Sequence, residues 1–325
     1  MKLKIHIFLF TILILGISCN PDDDDGITEV PEADRTEQQV IDNDSLVGYL
    51  QTHYVNEFLI SNNPNLSLSE IEINQLPEDG ELPNPDENSL LIDIVEIHTT
   101  TYFEVEYEYY VLKINQGGSE VSPNFSDKVR VSYEGNLMDD TIFDSSASPV
   151  DFDLTSTIAG WGRVLPEFNN AIDFTVNSDG TVNYNDPGVG IMFLPSGLGY
   201  YSAAAGTVPV YSNLIFKFKV FQSEVNDHDF DNVPSHLEDI DGDYDLTNDN
   251  SDDDTFADFV DSDDDNDGTL TIDEDLEPDT DLTVDRDGDG DPTNDIGDGD
   301  PTNDDTDGDG IPNYLDPDDS ASRDD

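Results

Sequence analysis

The spacing of apolar side chains predicts one helix and two strands in the first third of the chain. Between Ser45 and Leu59 apolar residues recur every three or four positions, which is the period of an amphipathic helix. Prolines are frequent over 61–89, which indicates a loop, and a strand is expected from Leu90 to Ile97. From Phe103 to Tyr109 aromatic residues and a valine alternate with glutamates. This two-residue period indicates an antiparallel strand with one face toward solvent.

Five short motifs follow one another in the middle of the chain. They are Val129 to Leu137, Phe143 to Ser146, Ile158 to Trp161, Met192 to Tyr200, and Val208-Pro209 leading to Phe218. In this order they resemble the FKBP-type peptidyl-prolyl cis-trans isomerases, whose pattern is V-x-V-x-Y-x-G-x-L, F-D-S-S, V-I-x-G-W, I-P-x-x-x-x-Y-G and I-P-x-x-x-L-x-F. The resemblance implies an α+β fold in which an FKBP-like antiparallel β-sheet curls around a short helix.

The same resemblance implies which residues form the active site. The positions that match catalytic residues of the family are Tyr133, Phe143, Asp144, Ile158, Trp161, Tyr200 and Phe216, and the surrounding pocket is expected at Val150, Thr157 and Val208. By these matches, Trp161 would form the floor of the substrate pocket and Asp144 would be a buried carboxylate at the pocket rim. Tyr200 would supply a hydroxyl group as a hydrogen-bond donor. Ile158 matches the family position whose backbone N–H binds a substrate carbonyl. A second alignment, over Val164 to Phe168, makes Phe168 the floor instead.

An aromatic pocket suits this reaction on chemical grounds. Rotation about an X-Pro peptide bond faces a barrier of about 18 to 20 kcal/mol because amide resonance is lost in the twisted state. A pocket that excludes water favours the less polar twisted amide, so neither a nucleophile nor a catalytic cofactor is required. The expected function is prolyl isomerisation in proline-containing polypeptide clients. Two features favour a non-catalytic binding or chaperone-like module instead: Val150 stands where the family has Phe, and a β-hairpin insertion is expected at 174–184.

The last hundred residues carry a different signal, in which Asp alternates with other residues and Gly recurs. Residues Asp263 to Glu274 satisfy the twelve-residue calcium-loop spacing D-x-D-x-D-G-x5-E, with Gly268 at the sharp turn. Related spacings and repeated Asp-Gly strings resemble thrombospondin type 3 repeats, which wrap calcium ions with little apolar core. The candidate metal ligands are Asp227, Asp229, Asp231, Glu238, Asp263, Asp265, Asp267, Glu274, Asp305, Asp307, Asp309 and Asp316. An EF-hand helix pair and a disordered acidic tail are the alternatives.

Charge supports the same division of the chain. The formal net charge is -65 over 325 residues, and more than half of it falls in residues 226–325. Such a chain is a poor partner for nucleic acid or anionic membrane surfaces, whereas divalent cations are suitable partners. Because Cys19 is the single cysteine, neither an internal disulfide nor a Cys/His zinc site is expected.

The first residues indicate export. Lys2 and Lys4 precede a short apolar run from Ile5 to Leu15, and Cys19 follows small residues. This resembles a bacterial lipoprotein signal, so a lipid on Cys19 is expected to be the only membrane contact, in the cell envelope at the outer membrane or cell surface. An ordinary secretory signal is the alternative. The expected plan is a signal peptide at 1–18, an acidic tether at 19–36, a helix and strand extension at 37–108, the isomerase domain at 109–224 and calcium-binding repeats at 225–325.

Overall fold

The structure is a computed structural model, and it describes residues 32–63, 66–275 and 301–322. The helices and strands, in chain order, are α1 Arg35–Thr52, β1 His53–Val55, α2 Glu57–Asn62, β2 Ile73–Gln75, β3 Ser89–Leu90, α3 Leu91–Ile94, β4 Glu96–Tyr102, β5 Val105–Asn115, β6 Lys128–Leu137, β7 Ile142–Asp153, α4 Ala159–Val164, β8 Asp173–Val176, β9 Val182–Asn185, β10 Gly188–Leu194 and β11 Leu214–Glu224.

A six-stranded antiparallel sheet organises the middle of the chain, in the order β4-β5-β10-β11-β6-β7. β4 and β7 are therefore its edges. The pairing of β6 with β7 shifts register twice, between Val131 and Tyr133 and between Gly135 and Asn136. Pro149 lies inside β7 and has no backbone N–H to donate. The FKBP-like antiparallel sheet expected from the sequence is confirmed.

Both faces of this sheet are covered by apolar side chains. One face packs against α4 and the turn that follows it, where Trp161, Val164 and Leu165 are buried. The other face packs against α1, where Leu46 and Leu50 are fully buried. Every residue of β10 is buried, because its alternate side chains enter the two cores in turn. The residues before β5 are therefore an integral layer of the fold.

The N-terminal elements differ from the expected ones. α1 begins ten residues before the predicted helix, because the Asp34 side chain accepts hydrogen bonds from the Thr36 and Glu37 amides and so caps it. The helix thus takes in two residues of the predicted tether. It ends at Thr52, because the following residues turn extended and pair with β2 and β3.

The next segments also depart from the predictions. The predicted loop at 61–89 contains β2, and the predicted strand at 90–97 is interrupted by the short α3. Phe103 and Glu104 form a turn with positive φ, so the alternation predicted from 103 continues as strand only from Val105. β5 then crosses the proposed boundary between residues 108 and 109.

The predicted insertion is confirmed as a hairpin, since β8 pairs antiparallel with β9. Within the described residues of the tail, the regular elements are 3-10 turns, and a 3-10 turn at Asp258–Val260 precedes the loop at 263–274 where an EF-hand has its entering helix. None of the described helices combines the length and the apolar character that crossing a membrane requires. Cys19 and the segment 1–31 lie outside the described residues.

Candidate active site and carboxylate clusters

Trp161 is the centre of a group of aromatic side chains on one face of the sheet. Its ring centroid lies 5.0 Å from that of Phe216, 5.7 Å from Phe152 and 5.9 Å from Tyr133. Phe143 joins the group through an edge contact with Phe216 at 5.4 Å. The structure therefore brings together aromatic residues from β6, β7, α4 and β11 that are separated by up to 83 positions.

Gly135 allows this packing. A Cβ atom at this position would lie 2.7 Å from ring atoms of both Phe143 and Phe216. Any larger residue would separate the two rings, so the glycine of the first motif is required by a close approach.

Polar groups stand at the rim of the aromatic group. The Tyr133 hydroxyl donates a hydrogen bond of 2.7 Å to the Asp144 carboxylate. Burial and then the negative charge of Asp144 raise the pKa of Tyr200, so these two side chains share one region of the rim. Asp144 itself is exposed, whereas the sequence resemblance implied a buried carboxylate. The exposure follows from its position on the edge strand β7.

The remaining predicted residues surround the same group. Ile158 precedes α4 with an extended backbone, and within the described part of the chain its amide donates to no other group. Val150 packs partly buried against the core from β7, and Val208 is 2% exposed. Thr157 is half-buried, and its hydroxyl donates to the Leu154 carbonyl. The motifs that are distant in sequence thus converge on one site.

The two candidates for the pocket floor occupy different places. Phe168 is fully buried and packs edge-on against Phe218 at 4.9 Å, beneath Gly190. It makes none of the ring contacts with Tyr133 that Trp161 makes. The geometry therefore favours Trp161 as the floor and assigns Phe168 to the core.

Sequence reasoning missed Phe152 as a member of the site. Its ring lies 5.3 Å from Tyr133 and it shares a face of β7 with Val150. The alternation of Val150, Phe152 and Leu154 along the strand was the available signal.

The tail forms separate carboxylate clusters. In the first, Asp229, Asp231, Glu238 and Asp264 place ligand atoms within 4.8 Å of one another. Glu238 is 1% and Asp264 is 2% exposed, and neither carboxylate has a hydrogen-bond partner among the described residues. Burying an unpaired carboxylate is strongly unfavourable in the absence of a cation.

This cluster corrects the predicted ligand set. Asp227, a predicted ligand, instead accepts hydrogen bonds from the amides of Phe230 and Asn232. Asp264 takes part in its place, although it lies between two predicted ligands of another loop. The chain therefore folds back so that carboxylates from two separate Asp-rich segments converge.

In the loop at 263–274, several of the carboxylates predicted as ligands converge. Asp263, Asp265 and Asp267 lie together, and Gly268 has a φ of +100°. Glu274 is 1% exposed with both oxygens unpartnered among the described residues. Burial and then the charges of the three aspartates raise the pKa of Glu274 to about 9.

Two further groups lie in the described part of the tail. One consists of Asp305, Asp307 and Asp309, as predicted, with Asp316 buried nearby. The other unites Asp239, Asp241 and Asp249, none of which is among the candidate ligands named from the sequence. Carboxylate oxygens in such groups are the ligands that Ca²⁺ and other hard cations prefer.

One tail loop also contacts the helix that carries Trp161. Arg163 of α4 is 8% exposed and donates hydrogen bonds to the backbone carbonyls of Asp243 and Tyr244 at 3.2 and 3.1 Å. Its guanidinium lies 4.9 Å from the centre of the Tyr244 ring and 5.3 Å from that of Tyr102. The tail is thereby attached to the isomerase-like region.

Comparison with known proteins agrees with the geometry. The family described as FKBP-type peptidyl-prolyl cis-trans isomerase matches residues 119–221. Peptidyl-prolyl cis-trans isomerase Mip of Coxiella burnetii is 45% identical over 56 residues, which are 16% of this chain and 24% of that protein. The probable FKBP-type isomerase FkpA of Neisseria meningitidis serogroup B is 31% identical over 112 residues, 33% of this chain and 35% of that protein.

Among solved structures, the crystal structure of FkpA from Escherichia coli aligns with a TM-score of 0.31 at 24% identity, over 40% of this chain and 52% of that chain. This chain thus spans between about a quarter and a third of the length of the two curated relatives. Residues 119–221 are an FKBP-type peptidyl-prolyl cis-trans isomerase domain within a longer chain.

Proposed function

We propose that the protein catalyses the cis-trans isomerisation of X-Pro bonds in polypeptides of the cell envelope. The observation that carries this proposal is the aromatic group around Trp161, with Asp144 and the Tyr200 hydroxyl at its rim. A proline ring packed on Trp161 would be shielded from water. This desolvation favours the twisted amide over the planar resonance form. The Ile158 amide, which donates to no group among the described residues, is available for a substrate carbonyl.

Replacing Phe143 with alanine tests this site. Phe143 is only partly buried, so its loss removes a pocket wall with less damage to the core than a change at Trp161. We expect kcat/KM for a proline peptide to fall about tenfold, because an aromatic contact made in the transition state contributes about 1 kcal/mol or more. A protease-coupled isomerisation assay measures the rate.

Phe174→Ala is the matched control, because Phe174 is a half-exposed aromatic residue on the hairpin insertion. It should keep full activity. Equal rates for the Phe143 variant and the unchanged protein would exclude this pocket from catalysis. If the unchanged protein folds but accelerates isomerisation of no proline peptide, the result would support the alternative that the domain is a binding module. The exposed apolar side chains of Phe174 and Val176 on the hairpin also favour that alternative.

The tail is proposed to bind calcium. Its support is the pair of buried carboxylates Glu238 and Asp264, whose oxygens lack partners among the described residues. A divalent cation with six to eight oxygen ligands would satisfy several of these groups at once. Extracellular modules of this kind bind calcium at about 0.1 to 1 mM, which suits a protein outside the cell.

A lipid on Cys19 is proposed as the membrane anchor. The support is the sequence pattern of Lys2, Lys4 and the apolar run before Cys19. Cys19→Ser should abolish labelling by a radioactive fatty acid and release the protein from the membrane fraction. Ser18→Ala is the control and should keep both the fatty-acid labelling and the membrane association. A Cys19 variant that remained in washed membranes would contradict the proposal.

A further inference from the structure

A buried carboxylate of α1 is hydrogen-bonded to the segment that carries two predicted pocket residues. Asp42 is 2% exposed. Its Oδ2 atom accepts hydrogen bonds from the Ser196 amide at 2.8 Å and from the Ser196 hydroxyl at 2.5 Å. Its Oδ1 atom accepts from the Gln38 side chain at 2.7 Å. A charged group buried this deeply has to be offset by such bonds, and here most of them come from the pocket segment.

The same residue reaches the other end of that segment. The Asn213 side chain donates a hydrogen bond of 3.0 Å to the Asp42 carbonyl. Ser196 follows β10 and Asn213 precedes β11, so Asp42 ties together the two ends of the loop 195–213. This loop, called here the pocket loop, contains Tyr200 and Val208.

The start of α1 makes further contacts with the pocket loop. The Ala33 amide donates to the Tyr211 hydroxyl at 2.9 Å, and the Tyr201 hydroxyl donates to the Ala33 carbonyl. The Arg35 guanidinium lies 4.0 Å from the centre of the Tyr201 ring. Tyr201 and Tyr211 both have positive φ, a backbone state that surrounding contacts must hold in a residue with a side chain.

We propose that Asp42 is a positioning residue for the isomerase reaction, which holds the pocket loop so that the Tyr200 hydroxyl faces the pocket rim. The inference rests on the proposed isomerase function. It assigns a role in that reaction to a residue that lies 77 positions before the matched family segment begins.

Kinetics of Asp42→Ala test the inference. We expect kcat/KM for a proline peptide to fall roughly tenfold or more, because small displacements of a positioned group cost large factors in rate. Asp42→Asn keeps one acceptor oxygen for Ser196 and should recover part of the loss. Asp44→Ala is the matched control, an exposed aspartate of the same helix, and should keep full activity. Full activity of Asp42→Ala would overturn the inference.

Combination with Tyr200→Phe separates positioning from general destabilisation. If Asp42 acts by placing the Tyr200 hydroxyl, its removal should matter much less once that hydroxyl is absent, so the two effects should not multiply. Fully multiplicative losses in proteins that are folded at the assay temperature would overturn the inference.

Amide hydrogen exchange distinguishes this inference from the isomerase proposal itself. Asp42→Ala should speed exchange over 195–213, and Asp44→Ala should not. An inactive unchanged protein with this exchange pattern would reject the isomerase function and, with it, the positioning role of Asp42 in that reaction. An active unchanged protein whose Asp42→Ala variant shows normal exchange and normal rate would reject only the inference.

Discussion

Deleting residues 33–63 is expected to leave an isomerase domain that does not fold on its own. These residues supply α1, β1 and α2, which contribute Leu46, Leu50, Val55 and Ile60 to the apolar layer on one face of the central sheet. Removing them would expose Ile191, Phe193 and Ile215, which are now at most 1% exposed, and would open an apolar face of the kind that drives aggregation. The variant that lacks 33–63 should therefore be insoluble, or should melt far below the full chain in circular dichroism.

A single substitution tests the same layer in a soluble protein. Leu50 is fully buried, so Leu50→Ala should lower the free energy of unfolding by about 3 kcal/mol in urea titration. Val40→Ala on the same helix is the control, since Val40 is 59% exposed and should change stability little. A 33–63 deletion variant with native stability would show that the layer is dispensable.

Withdrawing calcium is expected to make residues 225–275 sensitive to proteases while the central sheet stays folded. Burial raises the pKa of Glu238 to about 9 and of Asp264 to about 10, with the neighbouring carboxylates adding to each shift. Without a cation, the folded tail keeps protons that an unfolded chain releases near pH 4. Its stability therefore falls as the pH rises from about 4 toward 10. Calcium requires the deprotonated groups, so its protection should be larger at pH 8 than at pH 5.

Limited proteolysis with calcium or chelator, followed by mass spectrometry, measures this effect. Glu238→Gln should weaken the protection by calcium, because it removes a charged ligand from the first cluster. Asp253→Asn is the control, an exposed aspartate that belongs to none of the clusters of the described residues. Identical digestion in calcium and chelator at pH 8 would contradict the proposal.

The sequence was informative where chemistry depends on residue type at short range. Tyr133, Phe143 and Trp161 could be identified because their motifs each fit within one strand or turn. The loop at 263–274 could be identified because its ligands are close in sequence. In each case the local spacing already fixes which side chains meet.

Long-range partners could not be identified in the same way. Asp42 meets Ser196 across 154 positions, and Asp264 joins a cluster that begins at Asp229. The apolar period in the first turns of α1 is weak, since Val40 and Ile41 face solvent while Gln39 and Asp42 are buried. Only the packing of the helix on the sheet determines this inverted pattern.

The edge strand β7 has a consequence for how long a client stays bound. An unfolded polypeptide readily adds to a free sheet edge through a continuous row of backbone hydrogen bonds. In β7 this row is interrupted by Pro149 and by the two register shifts beside β6. A client that reaches Phe143 on this strand is therefore expected to make side-chain contacts without adding to the sheet as an extra strand. We expect the same interruptions to shorten the residence of clients and to limit pairing of β7 between copies of the protein, so that both effects would have one structural origin.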